Sequence, residues 1–414
     1  MDRRSFFAAA AALGATPMLS TRVQAATKSA NLKITAVEIW RLTGNPDQQK
    51  AYQASNGNGT TRILGDMRTS QLYMKILTNV RGVEGLYGSF EQSSADAAMG
   101  LARPLVGMDP LAIDTIWETM HGGAHRYSGT TMFGVSTIDN CLWDLKGRFL
   151  DIPVYKLLGG SRSSVDVYAT CLRFPVELDQ IGPRAAQVRK EGFKAQKWFP
   201  SLGPADGDSG FEQNVGMARV LRETLGESYE FMIDALGGRW DLPYAMRWCK
   251  AVEQYHPRWL EEPVPTAGQV ESLARLRQMT TIQIATGEHN YGRWEVNELI
   301  KAGAVDVIEV DPEWGGGISE LLKICTLASV HGLIVAPHNQ RTTALAHLFA
   351  SQPRAVCPMM EYQMNLQPNL CYFEKNPLAP KNSQIELPDL PGFGIELDDS
   401  KIVKREKIYP ANSA

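Results

Sequence analysis

The chain has 414 residues, of which 44% are hydrophobic and 21% charged, and its 42 Lys and Arg against 45 Asp and Glu give a formal charge of −3. Such a length exceeds one ordinary core and fits two domains, one of them a barrel of roughly 200 to 250 residues. No polar low-complexity block signals disorder, no basic or aromatic-basic stripe offers a nucleic-acid groove, and no apolar run past the N-terminus approaches the roughly 18 residues of a membrane span.

In chain order, residues 1–26 carry Arg3-Arg4-Ser5-Phe6-Phe7, an Ala-rich apolar stretch from Ala8 to Leu19, and Val23-Gln24-Ala25 as a small-residue cleavage site. This pattern predicts a twin-arginine signal and an exported, periplasmic protein, with Asp2 replacing the usual Ser or Thr. Residues 27–160 then read as an α+β domain. Ile34–Trp40 and Leu72–Thr78 alternate like half-buried strands, and Asn79–Gly88 suits a hairpin. Between them the polar stretch 44–67 is long for a simple connection and reads as a lid, with Arg62 and Arg68 as candidate substrate contacts. From Ser94 to Gly147 the apolar period turns helical, with Ile113, Ile116, Trp117 and Met120 on one stripe and Val135, Ile138, Leu142 and Leu145 on another. Six cysteines show no clustered spacing and read as buried free thiols.

The Gly pair at 159 and 160 marks a boundary, after which residues 161–374 read as a (β/α) barrel. Eight apolar runs, Val165–Thr170, Lys194–Phe199, Glu230–Asp234, Arg258–Glu261, Gln283–Glu288, Asp306–Asp311, Leu333–His338 and Cys357–Glu361, alternate with seven helical segments. Residues 375–414, with Leu390-Pro-Gly-Phe-Gly-Ile-Glu-Leu397, are expected to return to the first domain. The predicted architecture is a modified (β/α)7β TIM barrel with an N-terminal α+β capping domain completed by the C-terminal segment.

Polar residues close these strands, and a barrel brings its strand ends to one mouth. Asp234, Glu261 and Glu288 would aim three carboxylates at one point, a hard oxygen set suited to Mg2+. His338 ends the seventh strand beside Asp311 on the sixth, so that a carboxylate can orient one imidazole nitrogen while the other serves as general acid/base. Lys197 and Glu361 would flank the metal, neutralising or hydrogen-bonding charge that develops on a bound carboxylate. His289 follows Glu288 and either lines the pocket or caps the next helix, whereas Glu262 should point to the other side of its strand in a structural role. Glu309 shares a strand face with Asp311, where it either raises the dyad's pKa or binds a barrel arginine, the latter structural role being preferred.

A divalent metal beside a strong base suggests abstraction of a proton α to a carboxylate. The chain resembles the enolase superfamily over nearly all of its mature length, through Ile138-Asp-Asn-Cys-Leu-Trp-Asp-Leu-Lys-Gly147, Trp259-Leu-Glu-Glu-Pro263, Gly287-Glu-His289 and Asp311 followed by Trp314-Gly-Gly-Gly-Ile318. Within it the chain is similar to the mandelate racemase subgroup, and most of all to its rhamnonate and related acid-sugar dehydratases, through Lys197-Trp-Phe-Pro200, Gly203–Gly210 and Pro391–Leu397. The resemblance implies Asp234, Glu261 and Glu288 as Mg2+ ligands, Asp311 and His338 as the catalytic dyad, and a symmetric homo-oligomer. The racemases of the subgroup carry a second lysine base where this chain has Phe199, and one base suffices for dehydration. The segment Asn339–Thr343 departs from the small Gly/Ser run of the rhamnonate dehydratases.

The expected function is therefore an Mg2+-dependent aldonate dehydratase that yields a 2-keto-3-deoxy acid from a small sugar-acid substrate. A racemase or epimerase of a 2-hydroxy acid is the nearest alternative, and a non-catalytic exported sugar-acid binding protein a further one. A hydrolytic metal barrel would want His-x-His on its first strand, a spacing the seven histidines never show.

Overall fold

The computed structural model describes residues 31–56, 70–123, 129–265 and 270–410. Three antiparallel strands open it, β1 (Ile34–Thr43), β2 (Ser70–Thr78) and β3 (Glu84–Phe90). Val37, Ile39, Met74 and Ile76 turn inward from this sheet onto Trp117, Val135, Ile138 and Leu142 of the helices Ile113–Gly123 and Gly129–Leu150, which cover one face. Part of the expected lid is a helix, Pro46–Asn56, started by Pro in its first turn and by the Asn45 side chain, which accepts from the Asp47 and Gln48 amides. Tyr52 of this helix sits edge-on to Tyr372 at 5.2 Å. The rest of that stretch, with Arg62 and Arg68, and the leader 1–26 lie outside the described residues.

Eight parallel strands follow: β4 (Ser164–Thr170), β5 (Ala195–Trp198), β6 (Glu230–Asp234), β7 (Trp259–Glu261), β8 (Gln283–Thr286), β9 (Val307–Ile308), β10 (Ile334–Val335) and β11 (Met360–Gln363). Their neighbour order is β10-β9-β8-β7-β6-β5-β4-β11, and the Val335 N–H donates to Val356 O at 2.7 Å across the remaining seam. Seven helices alternate with them, so the unit is a (β/α)7β barrel. The sixth and seventh strands are shorter than the sequence patterning predicts, because the Asp311 carboxylate takes the Glu313 amide at 2.6 Å and the Gln340 amide at 2.7 Å, drawing those strand ends out of the ladder. The eighth begins later than expected, since the Val356 and Cys357 amides both turn back to Pro353 O.

Alternation along the strands builds two layers. Ala195, Met232, Trp259, Ala285, Val307 and Ala336 join Tyr168 inside the barrel, while Ile233, Leu260, Ile284, Ile308 and Val335 face the helices. Beyond the barrel, β12 (Gln384–Glu386) pairs antiparallel with the start of β4, and β13 (Lys404–Tyr409) joins the free edge of β1, giving the sheet order β13-β1-β2-β3. Phe393 and Ile395 are buried in the capping core on the way, so the C-terminal segment completes the cap.

The cap is joined to the barrel at a helix terminus. The first amides of a helix lack intrahelical acceptors. For the helix Gly317–Val330 they are supplied from the cap: Ser136 Oγ accepts from Gly316, Asn140 Oδ1 from Ile318 and Asp139 Oδ2 from Ser319, at 2.8, 3.1 and 3.0 Å. Gly317 has φ +79°, and a Cβ there would meet Asp139 Oδ2 at 2.4 Å, so the close approach requires glycine. Asp144, one turn further, accepts from the Leu86 and Phe393 amides and pairs with Arg148. All six cysteines are buried and free, with Cys325 and Cys357 in Sγ contact at 3.8 Å.

Candidate active site

Two residues beyond the apolar layer, on the same strand face, the interior turns polar: Lys197, Asp234, Glu261, Glu309 and His338 stand above Ala195, Met232, Trp259, Val307 and Ala336. The eighth strand adds Glu361 and Gln363. Glu288 has the wrong parity relative to Ala285, and Gly287 supplies the correction. Its φ of +135° turns the chain, and a Cβ there would sit 3.0 Å from Glu309 N.

The Lys197 ammonium is sealed from solvent and lies 2.5 Å from Glu261 Oε1, 3.0 Å from Glu361 Oε1 and 3.4 Å from Asp234 Oδ2. It neutralises buried acids rather than facing an open pocket. Glu361 also takes Thr170 Oγ1–H at 2.6 Å and the Asn339 amide at 2.7 Å. Burial alone would raise the Glu361 pKa, but Lys197, His338 and the Thr170 hydroxyl hold it at about 2. The other acids go the opposite way. Burial and then Glu261 push Asp234 well up, burial outweighs Lys197 at Glu261, and burial with Glu262 and Asp234 brings Glu288 to about 7. The mouth therefore holds more buried negative charge than Lys197 and His338 can balance.

Glu309 makes this plain. It is buried beside Glu261, neither carboxylate oxygen has a hydrogen-bond donor, and burial followed by the Glu261 charge drives its pKa well up. The expected barrel arginine is not its partner, because its strand parity aims it at the acids and not at the helices. Glu262 also departs from expectation. The strand ends at Glu261 and Glu262 takes φ +41°, which swings its side chain to His289, whose Nδ1 lies 3.0 Å from both carboxylate oxygens. His289 is thus held at the mouth, 3.4 Å from Glu288 Oε1, and does not cap the next helix, whose N-cap is Gly292. Among the described residues, the acids and imidazoles whose ligand atoms already lie within 4.8 Å of one another are Glu262, Glu288 and His289. Asp234 and Glu261 are drawn instead toward the Lys197 ammonium.

His338 Nδ1 lies 2.7 Å from Asp311 Oδ2, an oxygen that the Gln340 amide also holds. The ring is stacked on Trp314, with centroids 4.6 Å apart. Nε2 faces Glu288 Oε2 at 3.8 Å and the Gln363 side-chain nitrogen at 3.0 Å. Burial lowers the imidazole pKa, but Glu288, the Asp311 hydrogen bond and Glu361 together raise it to about 10. The structure thus brings Lys197, Asp234, Glu261, Glu288, Asp311, His338 and Glu361 to one mouth, with His289 at its rim. Gln363 is the member that sequence reasoning missed, although its signal was its place two residues after Glu361 on one strand.

Residues 180–401 match the enolase C-terminal domain-like family, and residues 69–159 match the mandelate racemase/muconate lactonizing enzyme N-terminal domain. Among curated relatives, a D-galactonate dehydratase from Ralstonia nicotianae is 32% identical over 75% of this chain and 83% of its own length. An L-rhamnonate dehydratase from Saccharopolyspora erythraea is 31% identical over 74% and 77%. A D-galactarolactone cycloisomerase from Agrobacterium fabrum is 32% identical over 71% and 80%. Of solved structures, a member of the enolase superfamily from Salmonella Typhimurium has a TM-score of 0.77 at 25% identity, covering 91% of this chain and 99% of its own. The 3,6-anhydro-D-galactonate cycloisomerase from Zobellia galactanivorans has a TM-score of 0.73 at 26% identity, covering 90% and 100%.

Proposed function

The chain belongs to the mandelate racemase/muconate lactonizing enzyme family of the enolase superfamily, and from that premise we propose that it is an acid-sugar dehydratase, a hydro-lyase, using Mg2+. The observation that carries the reading is the His338–Asp311 pair at 2.7 Å with the other ring nitrogen turned toward Glu288. The names of the dehydratase relatives support the substrate class.

The residues present fit a divalent ion. Asp234, Glu261 and Glu288 offer hard oxygen donors, their raised pKa values express unbalanced negative charge, and the unpartnered Glu309 adds to that charge. Bound there, Mg2+ would supply positive charge against the carboxylate of the substrate.

His338 acts as the base in its neutral form, which would be favoured once the charge of Glu288, its largest raising influence, is taken up. Asp311 holds the tautomer that leaves Nε2 able to accept, and stabilises the imidazolium that results. Nε2 then removes the proton α to the carboxylate, and the imidazolium returns that proton to the β-hydroxyl as the C–O bond breaks. Water leaves, and the enol tautomerises to a 2-keto-3-deoxy acid. Phe199 lies 5.6 Å from the Lys197 ammonium, ring centroid to nitrogen, where a racemase of the subgroup carries its second base. A single base favours elimination over inversion. The reading includes export by the twin-arginine route and a symmetric homo-oligomer.

The test is a screen of purified protein with Mg2+ against aldonic and aldaric acids, starting with D-galactonate and L-rhamnonate and reading 2-keto acids as semicarbazones. A hit lost with EDTA and with His338→Asn is expected. Solvent deuterium entering a recovered acid without keto product would replace the reading with racemisation, and binding without either would leave a binding protein.

A further inference from the structure

The base nitrogen of His338 has an amide partner that the reaction must use or displace. Gln363 is buried, lies on β11 two residues after Glu361, and is registered opposite Thr170 of β4. Its side-chain nitrogen is 3.0 Å from His338 Nε2. The other ring nitrogen is taken by Asp311 and one ring face by Trp314, so Gln363 stands on the approach to Nε2. A primary amide carries two N–H donors on one atom, so it can meet Nε2 and a second oxygen beside it.

We propose that Gln363 is a leaving-group residue: its amide donates to the β-hydroxyl as that group departs, alongside the imidazolium of His338. The inference rests on the dehydratase reading. With the Glu288 charge taken up and the ring neutral, the amide would donate to Nε2. When substrate enters, its α C–H displaces that hydrogen bond, Nε2 takes the proton, and the C–H electron pair becomes the enediolate. Elimination then needs the C–O bond to break with its electron pair on oxygen, while the imidazolium proton converts the departing oxygen to water. A second donor on that oxygen stabilises charge present only during this step. Neither proton abstraction nor its reversal involves that oxygen. Gln363 therefore governs how often an enediolate goes forward to product instead of taking a proton back.

The experiment compares wild type, Gln363→Leu and the equally long Gln363→Met in D2O with Mg2+, using the acid that wild type converts fastest. It measures 2-keto acid formed and deuterium in recovered substrate. Expected for either variant is a loss of dehydration on the order of 10², with the ratio of deuterium exchange to product rising at least tenfold. Dehydration and exchange falling together would overturn the proposal and leave Gln363 merely seating His338, and unchanged dehydration would also overturn it. Should Gln363→Leu misfold, the unbranched Met variant decides. Failure of wild type to form keto acid from any acid would overturn the dehydratase reading itself, and this inference with it.

Discussion

The indole of Trp314 is stacked on the imidazole of His338, with ring centroids 4.6 Å apart and planes 22° from parallel. Phe133, on the capping helix Gly129–Leu150, is stacked on the same indole at 5.7 Å. The cap thereby reaches the base through two rings. An aromatic face stabilises an adjacent cation by about 0.5–2 kcal/mol, so Trp314→Ala should lower kcat by up to roughly tenfold. Phe133→Ala should have a smaller effect in the same direction. Steady-state kinetics of both variants, with KM little changed, would check this.

His338→Asn keeps a hydrogen-bonding side chain but cannot exchange a proton. Turnover should fall by about 10²–10⁴-fold, the usual scale of general acid/base catalysis. Asp311→Asn should fall comparably, because its amide can present the wrong group to Nδ1. A His338→Asn protein retaining full turnover on its substrate would remove His338 from the reaction.

The metal-free protein should lose stability as pH rises. Burial raises Glu288 and Asp139 to about 7 and Glu313 to about 8, while His338 is raised to about 10. Each group binds its proton more tightly folded than unfolded, so its stabilisation is full below the unfolded value and disappears as pH climbs through the folded one. Glu361, held at about 2, opposes this only in acid. Melting temperatures in EDTA should therefore decline from about pH 5 to about pH 9. Mg2+ should raise the alkaline end most, by binding the folded state. Scanning calorimetry across that range with and without Mg2+ would measure it, and a flat EDTA profile would contradict the charge excess at the mouth.

Glu309→Gln tests the same excess at one residue. Both oxygens of Glu309 lack donors beside Glu261. Exchanging the acid for an amide of equal shape removes the cost of burying that carboxyl, whether charged or protonated, so the metal-free protein should melt higher at pH 8, on the about 1–3 kcal/mol scale of one unsatisfied buried group. Mg2+ should bind more weakly in the same variant. Melting curves over an Mg2+ titration give both quantities.

Arg341 is buried, paired with Glu374, and donates to Ser89 Oγ at 3.2 Å and Leu370 O at 3.0 Å, tying β3 of the cap to the loop after His338. Arg341→Ala strands the Glu374 carboxylate and should cost about 3–5 kcal/mol. The double variant Arg341→Met, Glu374→Leu should recover much of this, since it leaves no lone buried charge. Denaturant unfolding of the three proteins separates the two cases.

Periodicity made the barrel and the cap legible from residues alone, because helices and strands must each bury one face and the apolar spacing records which. The polar residues closing the strands were legible for the same reason, including Asp234, Glu261, Asp311, His338 and Glu361. Glu288 was legible as the residue closing its apolar run, although strict alternation would have sent His289 inward in its place. Gln363 was overlooked because its signal, a place two residues after Glu361, counts only if the eighth strand runs on to Gln363, and the apolar patterning ends that strand at Glu361. Glu262 and Glu309 were misassigned because a left-handed residue and a neighbouring strand, not their own sequence, set what they face.

Strand alternation is local, and the order of residues determined which side chains enter the barrel. Which of them meet was decided by tertiary structure, because a contact between Lys197 and Glu361, or His338 and Gln363, depends on how strands far apart in sequence are staggered around a closed sheet.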